Sequence, residues 1–373
     1  PLIVLAYHAD PTLVGLSSSV RMAPWFIFSV ISGIYIDRIS KKYIVVSANL
    51  LRGLTFLALG MFYYYSDGSI YVLLPALFFI GICEVFSDNA IPAMLPDLVE
   101  DKYLEKANYW VSQAEISGNQ FIGPSLGGLI ASVSNILALH INGLLYIISA
   151  FLFKDCVSDH VNTKPEKFSF AKLVQPFQSD KNLILLAIIA FSWNTAFSAD
   201  LINALFFIQD ELKLSASYYG LTIALSAIGA AIFGNLLVSY FAQYNLKAKI
   251  IIIGVSYLIS MLVRGMSDSV FIFLSSFVII GTAELLLNVT SITYRQRAVN
   301  RTELAKVNSL IRMIALSGFM LGPIIGGYLC EEFGARTTQY LLMFCLVPIF
   351  IILPMITHNK LSLAMTSGER SVE

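Results

Sequence analysis

Long apolar runs recur along this chain, and they set the strongest limit on its fold. Runs of membrane-spanning length lie at about 14–36, 43–65, 70–95, 105–133 and 135–153, and then at 183–209, 217–241, 249–266, 269–294, 303–330 and 337–357. A crossing helix needs about 20 apolar residues. The shorter apolar piece at 2–8 therefore predicts the end of an incomplete first span. Together these runs predict an all-α membrane protein with twelve transmembrane helices.

The composition supports a place in the bilayer and excludes several other classes of protein. Apolar residues make up 57% of the chain and charged residues 13%, against about 25% charged in soluble domains. With 24 basic and 24 acidic residues the net charge is zero, so we expect no nucleic-acid partner. Histidine and cysteine show no metal-ligand spacing, and no phosphate-cradling glycine loop is present. We therefore expect no cofactor, no metal and no enzyme activity.

The two halves of the sequence share a set of landmarks separated by about 200 residues. The first set is Ile80, Gly81, Glu84, Val99, Leu104, Lys106, Asn108, Ser117 and Gly118, and the second is Ile280, Gly281, Glu284, Val299, Leu304, Lys306, Asn308, Ser317 and Gly318. A period this long indicates two similar units joined end to end, as in many transporters. We predict an N-terminal six-helix bundle at 1–153, a cytoplasmic linker at 154–182, a C-terminal bundle at 183–357 and a cytoplasmic tail at 358–373.

Basic residues are distributed unevenly between the loops. The loops at 37–43, 96–106, 154–182, 241–249 and 295–306, with the tail, hold 18 of the 24 Lys and Arg residues, whereas the opposite loops hold only Lys213 and Arg336. Because Lys and Arg accumulate in cytoplasmic loops, both termini are predicted to be cytoplasmic. Loops on the other side are called outer loops below.

Three motifs resemble those of a known family. Residues 33–42 read Gly-Ile-Tyr-Ile-Asp-Arg-Ile-Ser-Lys-Lys, which is similar to the G-x-x-x-D-R-x-x-[RK]-[RK] signature of the major facilitator superfamily. Leu-Pro-Asp-Leu-Val at 95–99 and Leu-Glu-Lys-Ala-Asn at 104–108 resemble its macrolide-efflux and enterobactin-exporter branch. The glycines and proline between 118 and 128 resemble the fifth-span motif of drug/proton antiporters. The resemblance implies this family's fold and transport by alternating access.

The resemblance also gives roles to particular positions. It implies a cytoplasmic gate at Asp37, Arg38 and Lys41, for which a simple positive-inside anchor is the alternative. It places spans five and eleven at the interface between the halves, where small residues allow close helix packing. The positions concerned are Gly118, Gly123, Pro124, Gly127, Gly128, Gly322, Pro323, Gly326 and Gly327.

The sequence departs from the family pattern in two places. The arginine that many drug antiporters carry in the fourth span is absent, since residues 77–81 are apolar up to the glycine. The loop after the eighth span, 234–249, keeps its glycine and lysines but lacks the Asp-Arg pair of the 33–42 loop.

Acidic residues inside predicted spans mark candidate functional positions, because each is costly in the membrane. Glu84 and Asp88 are four residues apart and share one helix face. Two carboxylates this close do not both ionise easily in a low dielectric, so one of them tends to keep a proton. A proton carrier requires such a group. Glu284 and Asn288 are their repeat partners. The resemblance places spans four, seven and ten around the cavity, so the predicted proton-coupling or cargo-binding residues are Glu84, Asp88, Asp200, Glu284, Glu115, Asn194 and Asn288.

Structural roles remain open for several of these residues. The acids could instead form bridges with the arginines inside spans, which are Arg21, Arg52, Arg264 and Arg312. Arg21 and Arg312 are expected at the interface, where Glu115 could pair with either or take part in coupling. Arg264 could extend towards the membrane surface, and Trp193 could line the cavity or face lipid.

We predict a secondary transporter that exports an amphipathic small molecule, similar to a drug or a macrolide, in exchange for protons. Four acids and no arginine clearly facing the cavity favour a cationic or neutral cargo. A siderophore or metabolite exporter of the same fold, a lipid or lysolipid flippase and a non-transporting receptor are the alternatives. The expected partners are cargo, protons and the lipid bilayer, and the expected form is a multi-pass monomer in a bacterial inner membrane.

Overall fold

The computed structural model is helical throughout the part of the chain that it describes. It describes residues 2–7, 10–36, 39–66, 68–100, 122–154, 180–299 and 301–356, with isolated positions at 103, 107, 110, 111, 114, 118 and 177. No strand occurs among these residues. The predicted linker, the tail and most of the first part of the fifth span lie outside them.

The helices follow the predicted spans in order. In the first half they are α1 (Leu2–Tyr7), α2 (Pro11–Ile36), α3 (Lys41–Tyr65), α4 (Ile70–Leu98), α5 (Gly123–Val133) and α6 (Asn135–Phe153). In the second half α7 is Lys181–Phe206, α8 runs from Tyr218–Ile228 through a π-helical segment to Asn235–Phe241, α9 is Leu246–Gly265 and α10 is Val270–Ala298. The last described helical run is Arg301–Leu341, which continues through short helical segments to Met355.

Glycine 334 divides this last run into two helices. Gly334 has φ 76° and ψ 159°, a left-handed conformation that favours glycine. We call residues 301–333 α11 and residues 335–355 α12. Eight stretches of the described chain are long and apolar enough to cross a membrane, and one of them, Leu310–Met355, contains both α11 and α12. With α1, α2 and α5 this gives the twelve predicted spans.

Two glycines of the sequence repeat make equivalent helix contacts in the two halves. A Cβ on Gly81 of α4 would overlap the carbonyl oxygen of Arg21 on α2, and a Cβ on Gly281 of α10 would overlap that of Ser226 on α8. Each glycine thus lets its helix approach the neighbouring helix closely. The pseudo-symmetry predicted from the sequence is visible in this pair of contacts, in which Arg21 and Ser226 occupy corresponding places.

The first-half and second-half helices meet closely at the predicted outer side. Along α2 and α11, a Cβ on Gly15 would overlap the Pro323 carbonyl oxygen, and one on Gly327 would overlap the Pro11 carbonyl oxygen. Deeper in the same pair, the Arg312 guanidinium lies 5.2 Å from the centre of the Trp25 ring. Contact between α2 and α11 therefore extends inward from their outer ends.

Helices α5 and α8 form a second contact of this kind. A Cβ on Gly220 would lie 2.6 Å from the Pro124 carbonyl oxygen, and one on Gly128 would lie 3.5 Å from the Gly220 Cα. Both contacts lie towards the outer ends of their helices in the predicted topology. These two contacts bring helices of the two halves together on the predicted outer side.

Candidate transport site

An ion pair joins α2 to α4 in the first half. The Arg21 Nη2 atom lies 3.0 Å from the Glu84 Oε1 atom. The close approach at Gly81, three residues before Glu84, brings these two side chains within reach. The pair is partly open, since the Arg21 side chain is 41% exposed and the Glu84 side chain 14%. Asp88 is half-buried one turn further along α4 and contributes to the electrostatic environment of Arg21.

The corresponding acid in the second half has no such partner. Glu284 is half-buried on α10, at the position related to Glu84 by the repeat. Arg21 corresponds to Ser226 on α8, which carries no charge. Among the described residues Glu284 makes no hydrogen bond or ion pair, and Asn288, one turn further on, is exposed. The sequence repeat identified both acids but gave no indication of this difference in pairing.

Asp200 is fully enclosed, which corrects the prediction that it lines an open space. Its Oδ2 atom lies 2.6 Å from the Arg264 Nη2 atom, and both side chains are 0% exposed. The Asp200 Oδ1 atom also accepts a hydrogen bond of 3.2 Å from Gln339 Nε2, and the Gln339 Oε1 atom accepts one of 3.2 Å from Asn203 Nδ2. This network connects α7, α9 and α12. The suggestion that Arg264 extends to the membrane surface is wrong.

Several polar atoms around this network have no partner within the described protein. They are the Nε and Nη1 atoms of Arg264, the Tyr257 hydroxyl, the Trp193 Nε1 atom, the Asn203 Oδ1 atom and the Thr338 hydroxyl. Trp193 is 1% exposed and its ring lies 4.7 Å from that of Tyr257. It therefore faces neither lipid nor an open cavity. Tyr257 is close enough to Asp200, Arg264 and Glu284 to be influenced by the charges of all three.

Aromatic rings enclose the charge of Arg264. Its guanidinium carbon lies 4.5 Å from the centre of the Phe277 ring and 5.7 Å from that of Phe273. Such cation–π contacts are stronger when the site is desolvated. They help to explain how a charged side chain is accommodated at this depth.

A second arginine joins the predicted outer loops beyond this network. Arg336 pairs with Glu211 at 2.8 Å and with Asp268 at 2.5 Å, and it donates a hydrogen bond to the Gly265 carbonyl oxygen at 3.1 Å. Glu211 and Asp268 belong to the connections between α7 and α8 and between α9 and α10, Gly265 ends α9, and Arg336 lies at the start of α12. The second-half helices are therefore held together at their predicted outer ends.

The remaining arginine inside a first-half span has a structural position. Arg52 is buried on α3, and its Nη2 atom donates a 2.8 Å hydrogen bond to the Tyr146 hydroxyl on α6. Its guanidinium carbon lies 4.1 Å from the centre of that ring. Arg52 thus connects the two helices through an aromatic residue, and no carboxylate pairs with it among the described residues.

Other predicted positions have clear packing roles or lie outside the described residues. Asn194 donates a 2.9 Å hydrogen bond to the Ala315 carbonyl oxygen, joining α7 to α11. Around the same helix pair, a Cβ on Gly322 would overlap the Ser198 hydroxyl, and one on Gly326 would lie 2.4 Å from the Ala199 carbonyl oxygen. These two glycines thus face α7 in their own half.

The structure describes fewer contacts for the remaining glycines of the predicted interface, for the gate residues and for Glu115. No described atom lies within 4 Å of a Cβ built on Gly118 or Gly127, and a Cβ on Gly123 would face the Gly118 carbonyl oxygen. Lys41 begins α3. Asp37, Arg38 and Glu115 lie outside the described residues, so the gate hypothesis and the two alternatives for Glu115 stay predictions.

Two arginines inside predicted spans keep exposed surface. Arg21 is 41% exposed beside Glu84, and Arg312 is exposed on α11. The preference for a cationic or neutral cargo stays a prediction. No group of His, Cys, Asp and Glu residues suited to a metal ion is found in the described ranges.

Comparison with known families identifies the chain. The model for the Major Facilitator Superfamily matches it twice, over residues 1–207 and 184–362. The chain belongs to this superfamily. It is therefore a multi-pass membrane transporter rather than an enzyme, and the two successive matches accord with the internal repeat.

Curated relatives of this superfamily align over nearly the whole chain. The chain is 24% identical to macrolide efflux protein A of Streptococcus pyogenes over 96% of its own length and 92% of that protein. It is also 24% identical to multidrug resistance protein 1 of Bacillus subtilis, over 89% of its own length and 84% of that protein.

Solved structures show the same fold at lower identity. A variant of the nucleoside transporter NupG superposes with a TM-score of 0.75 at 14% identity, covering 95% of this chain and 94% of that one. A bacterial homologue of the iron transporter ferroportin, in an inward-facing state, gives a TM-score of 0.72 at 16% identity, covering 94% and 91%. The twelve-helix architecture expected from the sequence is confirmed.

Proposed function

We propose that this transporter exports amphipathic small molecules in exchange for protons, and that Glu284 carries the coupling proton. The observation that supports this most directly is the difference between the two copies of the repeat. Glu84 has Arg21 as a counterion, whereas Glu284 has the neutral Ser226 at the corresponding place. Glu84 therefore has a neighbouring cation on α2, whereas Glu284 has none at the corresponding place on α8.

The physical argument rests on the cost of an unpaired charge in the membrane. A charged side chain at the bilayer centre costs at least about 2.5 kcal/mol. An arginine at 3.0 Å offsets this cost for Glu84, but Glu284 has no cation to do so among the described residues. A bound proton removes the charge of Glu284. The carboxylic acid can then release the proton and become a carboxylate when cargo enters or when the site opens to the other side.

Tyr257 provides a physical connection between the protonation of Glu284 and the other helices of the second half. It interacts electrostatically with Glu284 and with the enclosed pair of Asp200 and Arg264, and its hydroxyl is buried without a partner. A change in the charge of Glu284 would alter the preferred orientation of that hydroxyl. We propose that this links the proton to the network joining α7, α9 and α12.

Export and an amphipathic cargo are proposed from two sources. The relatives named above are a macrolide efflux protein and a multidrug resistance protein. Both positively and negatively charged side chains are at least partly exposed, namely those of Arg21, Arg312 and Glu84. This removes the reason to prefer a cationic cargo. We therefore propose cargo molecules that are neutral or carry both charges and that include a substantial apolar part.

We also propose the arrangement of the chain in the membrane. The bundles extend over 1–153 and 183–357, with the linker and both termini in the cytoplasm. The transporter acts as a monomer in the inner membrane of a bacterium. The asymmetry of basic residues between the loops supports this orientation.

The function can be tested in proteoliposomes with an imposed pH gradient and an internal pH-sensitive dye. A macrolide, a cationic dye, a siderophore and a lysolipid would be added separately, and cargo and proton movements would be recorded. We expect macrolide-like cargo to move protons in the wild type, and Glu284→Gln to abolish this coupling. Glu332→Gln, which neutralises an exposed acid on α11, is the matched control and should keep it.

The other compounds in this assay distinguish the alternative functions. If only the siderophore is transported, the protein is a siderophore or metabolite exporter. Lysolipid movement without proton movement would assign a flippase and overturn proton coupling. Coupling that persists in Glu284→Gln would show that another group carries the proton.

A further inference from the structure

A cavity at the predicted cytoplasmic ends of α8, α9 and α10 contains two basic residues. It has a volume of about 170 Å³. Lys249, near the start of α9, and Arg297, at the end of α10, both line it. The two cations interact electrostatically with each other. Neither has an acidic partner among the described residues, so an anion in this cavity would relieve their repulsion.

This cavity coincides with a departure of the sequence from its family pattern. The loop after the second span carries an acid at Asp37 together with its basic residues. The equivalent loop between α8 and α9 keeps its lysines, including Lys249, but has no acid. The second-half copy is therefore left with positive charge that no acid among the described residues balances here.

The remainder of the cavity is apolar and extends into the predicted membrane region. Its wall includes Phe241, Leu246, Leu286 and Val289, with the hydroxyls of Thr290 and Thr293 between the apolar and basic parts. Along α10, the distance from Arg297 to Leu286 is about 16 Å, at 1.5 Å per residue. Basic groups thus lie at headgroup level, and apolar groups lie deeper.

We propose that this cavity binds an acidic phospholipid of the cytoplasmic leaflet. Lys249 and Arg297 would contact the phosphate, Thr290 or Thr293 would donate a hydrogen bond to a headgroup or ester oxygen, and an acyl chain would lie along Leu286 and Val289. Basic pockets between transmembrane helices on the cytoplasmic side suit anionic headgroups. A soluble phosphate compound would use the same cations but would gain nothing from the apolar wall. This site is independent of the proposed transport cycle.

Binding to the purified full chain tests the proposal. Native mass spectrometry would follow titrations with dioleoyl-phosphatidylglycerol, with zwitterionic dioleoyl-phosphatidylcholine and with soluble glycerol phosphate. We expect saturable binding of phosphatidylglycerol alone. Each basic side chain near an anionic surface contributes about fivefold to affinity. The double variant Lys249→Gln, Arg297→Gln should therefore bind phosphatidylglycerol about 30-fold more weakly.

A second double variant controls for the loss of charge. Lys181→Gln, Lys247→Gln removes two basic residues at the predicted cytoplasmic ends of α7 and α9, and neither residue lines the cavity. It should bind phosphatidylglycerol as the wild type does, and unchanged thermal unfolding of all three proteins without lipid would confirm that the variants fold. Equal weakening in both double variants would overturn the site. Binding of glycerol phosphate as tight as that of phosphatidylglycerol would overturn the lipid assignment.

Discussion

Replacing Asp200 with Asn should destabilise the protein far more than the loss of one polar contact would suggest. The change keeps the shape of the side chain but removes its charge. Arg264 would then remain 0% exposed, with a guanidinium that already has two nitrogen atoms without a partner. Removing one member of a buried ion pair costs about 3–5 kcal/mol, because the other charge stays buried without compensation.

Thermal unfolding in detergent measures this effect. At about 1.3 °C per kcal/mol for a chain of 373 residues, the expected cost lowers the Tm of Asp200→Asn by roughly 4–6 °C. Glu211→Gln is the matched control, since it also neutralises an acid paired with an arginine, but its side chain is 28% exposed. A partly exposed pair contributes about 0–1 kcal/mol. The Tm of the control should therefore fall by no more than about 1 °C.

A double variant separates charge burial from loss of packing. Asp200→Val combined with Arg264→Met removes both charges, and such replacements of buried pairs are often neutral or stabilising. The double variant should recover most of the lost Tm, less a contribution from Gln339, which loses its acceptor. An Asp200→Asn variant with the same Tm as Glu211→Gln would refute the reasoning, since the pair would then have to be solvated.

Two further changes test the outer contact and the first-half ion pair. Gly327→Val should prevent close packing of α11 against the Pro11 carbonyl oxygen and shift the population towards states open on the outer side. Spin-label distances between α2 and α11 measure this shift. Gly127→Val, whose new Cβ meets no described atom within 4 Å, should leave these distances unchanged. Arg21→Gln should reduce transport and destabilise the protein by up to about 2.5 kcal/mol, because Glu84 loses the cation that offsets its charge in the membrane. The exchange Arg21→Glu with Glu84→Arg should restore activity if the pair itself is needed, and continued inactivity would assign separate roles to the two charges.

The sequence was sufficient to predict the helices, because membrane spans are long and continuous in hydropathy. Even the break at Gly334 falls between the eleventh and twelfth predicted spans. The repeat also indicated that Gly81 and Gly281 hold equivalent positions. Such features depend on residues close in sequence or on a fixed offset between the halves, so no knowledge of packing was needed.

The partners of the charged residues could not be predicted in this way. Asp200 and Arg264 are 64 residues apart and meet only because α7 packs near α9. Asp200 was therefore predicted to be open to the cavity, and Arg264 to be close to the membrane surface. The same applies to Arg21, whose pairing with Glu84 depends on the crossing of α2 and α4 at Gly81.

The most informative difference was present in the sequence but could be recognised only with the structure. Aligning the repeats pairs Glu84 with Glu284, but it says nothing about which residue of a neighbouring helix faces each acid. The contacts at Gly81 and Gly281 place Arg21 beside one and Ser226 beside the other. This substitution of a neutral residue for a cation is the basis for the proposed role of Glu284.

Proton release on cargo binding tests that role most directly. Purified protein in weakly buffered detergent solution, at a pH where transport is active, would be mixed with a transported cargo while a pH indicator records the change. We predict that cargo releases protons from the wild type and from Glu332→Gln, but not from Glu284→Gln, although Glu284→Gln still binds the cargo. Equal proton release from Glu284→Gln and the wild type would contradict the proposal that Glu284 carries the coupling proton.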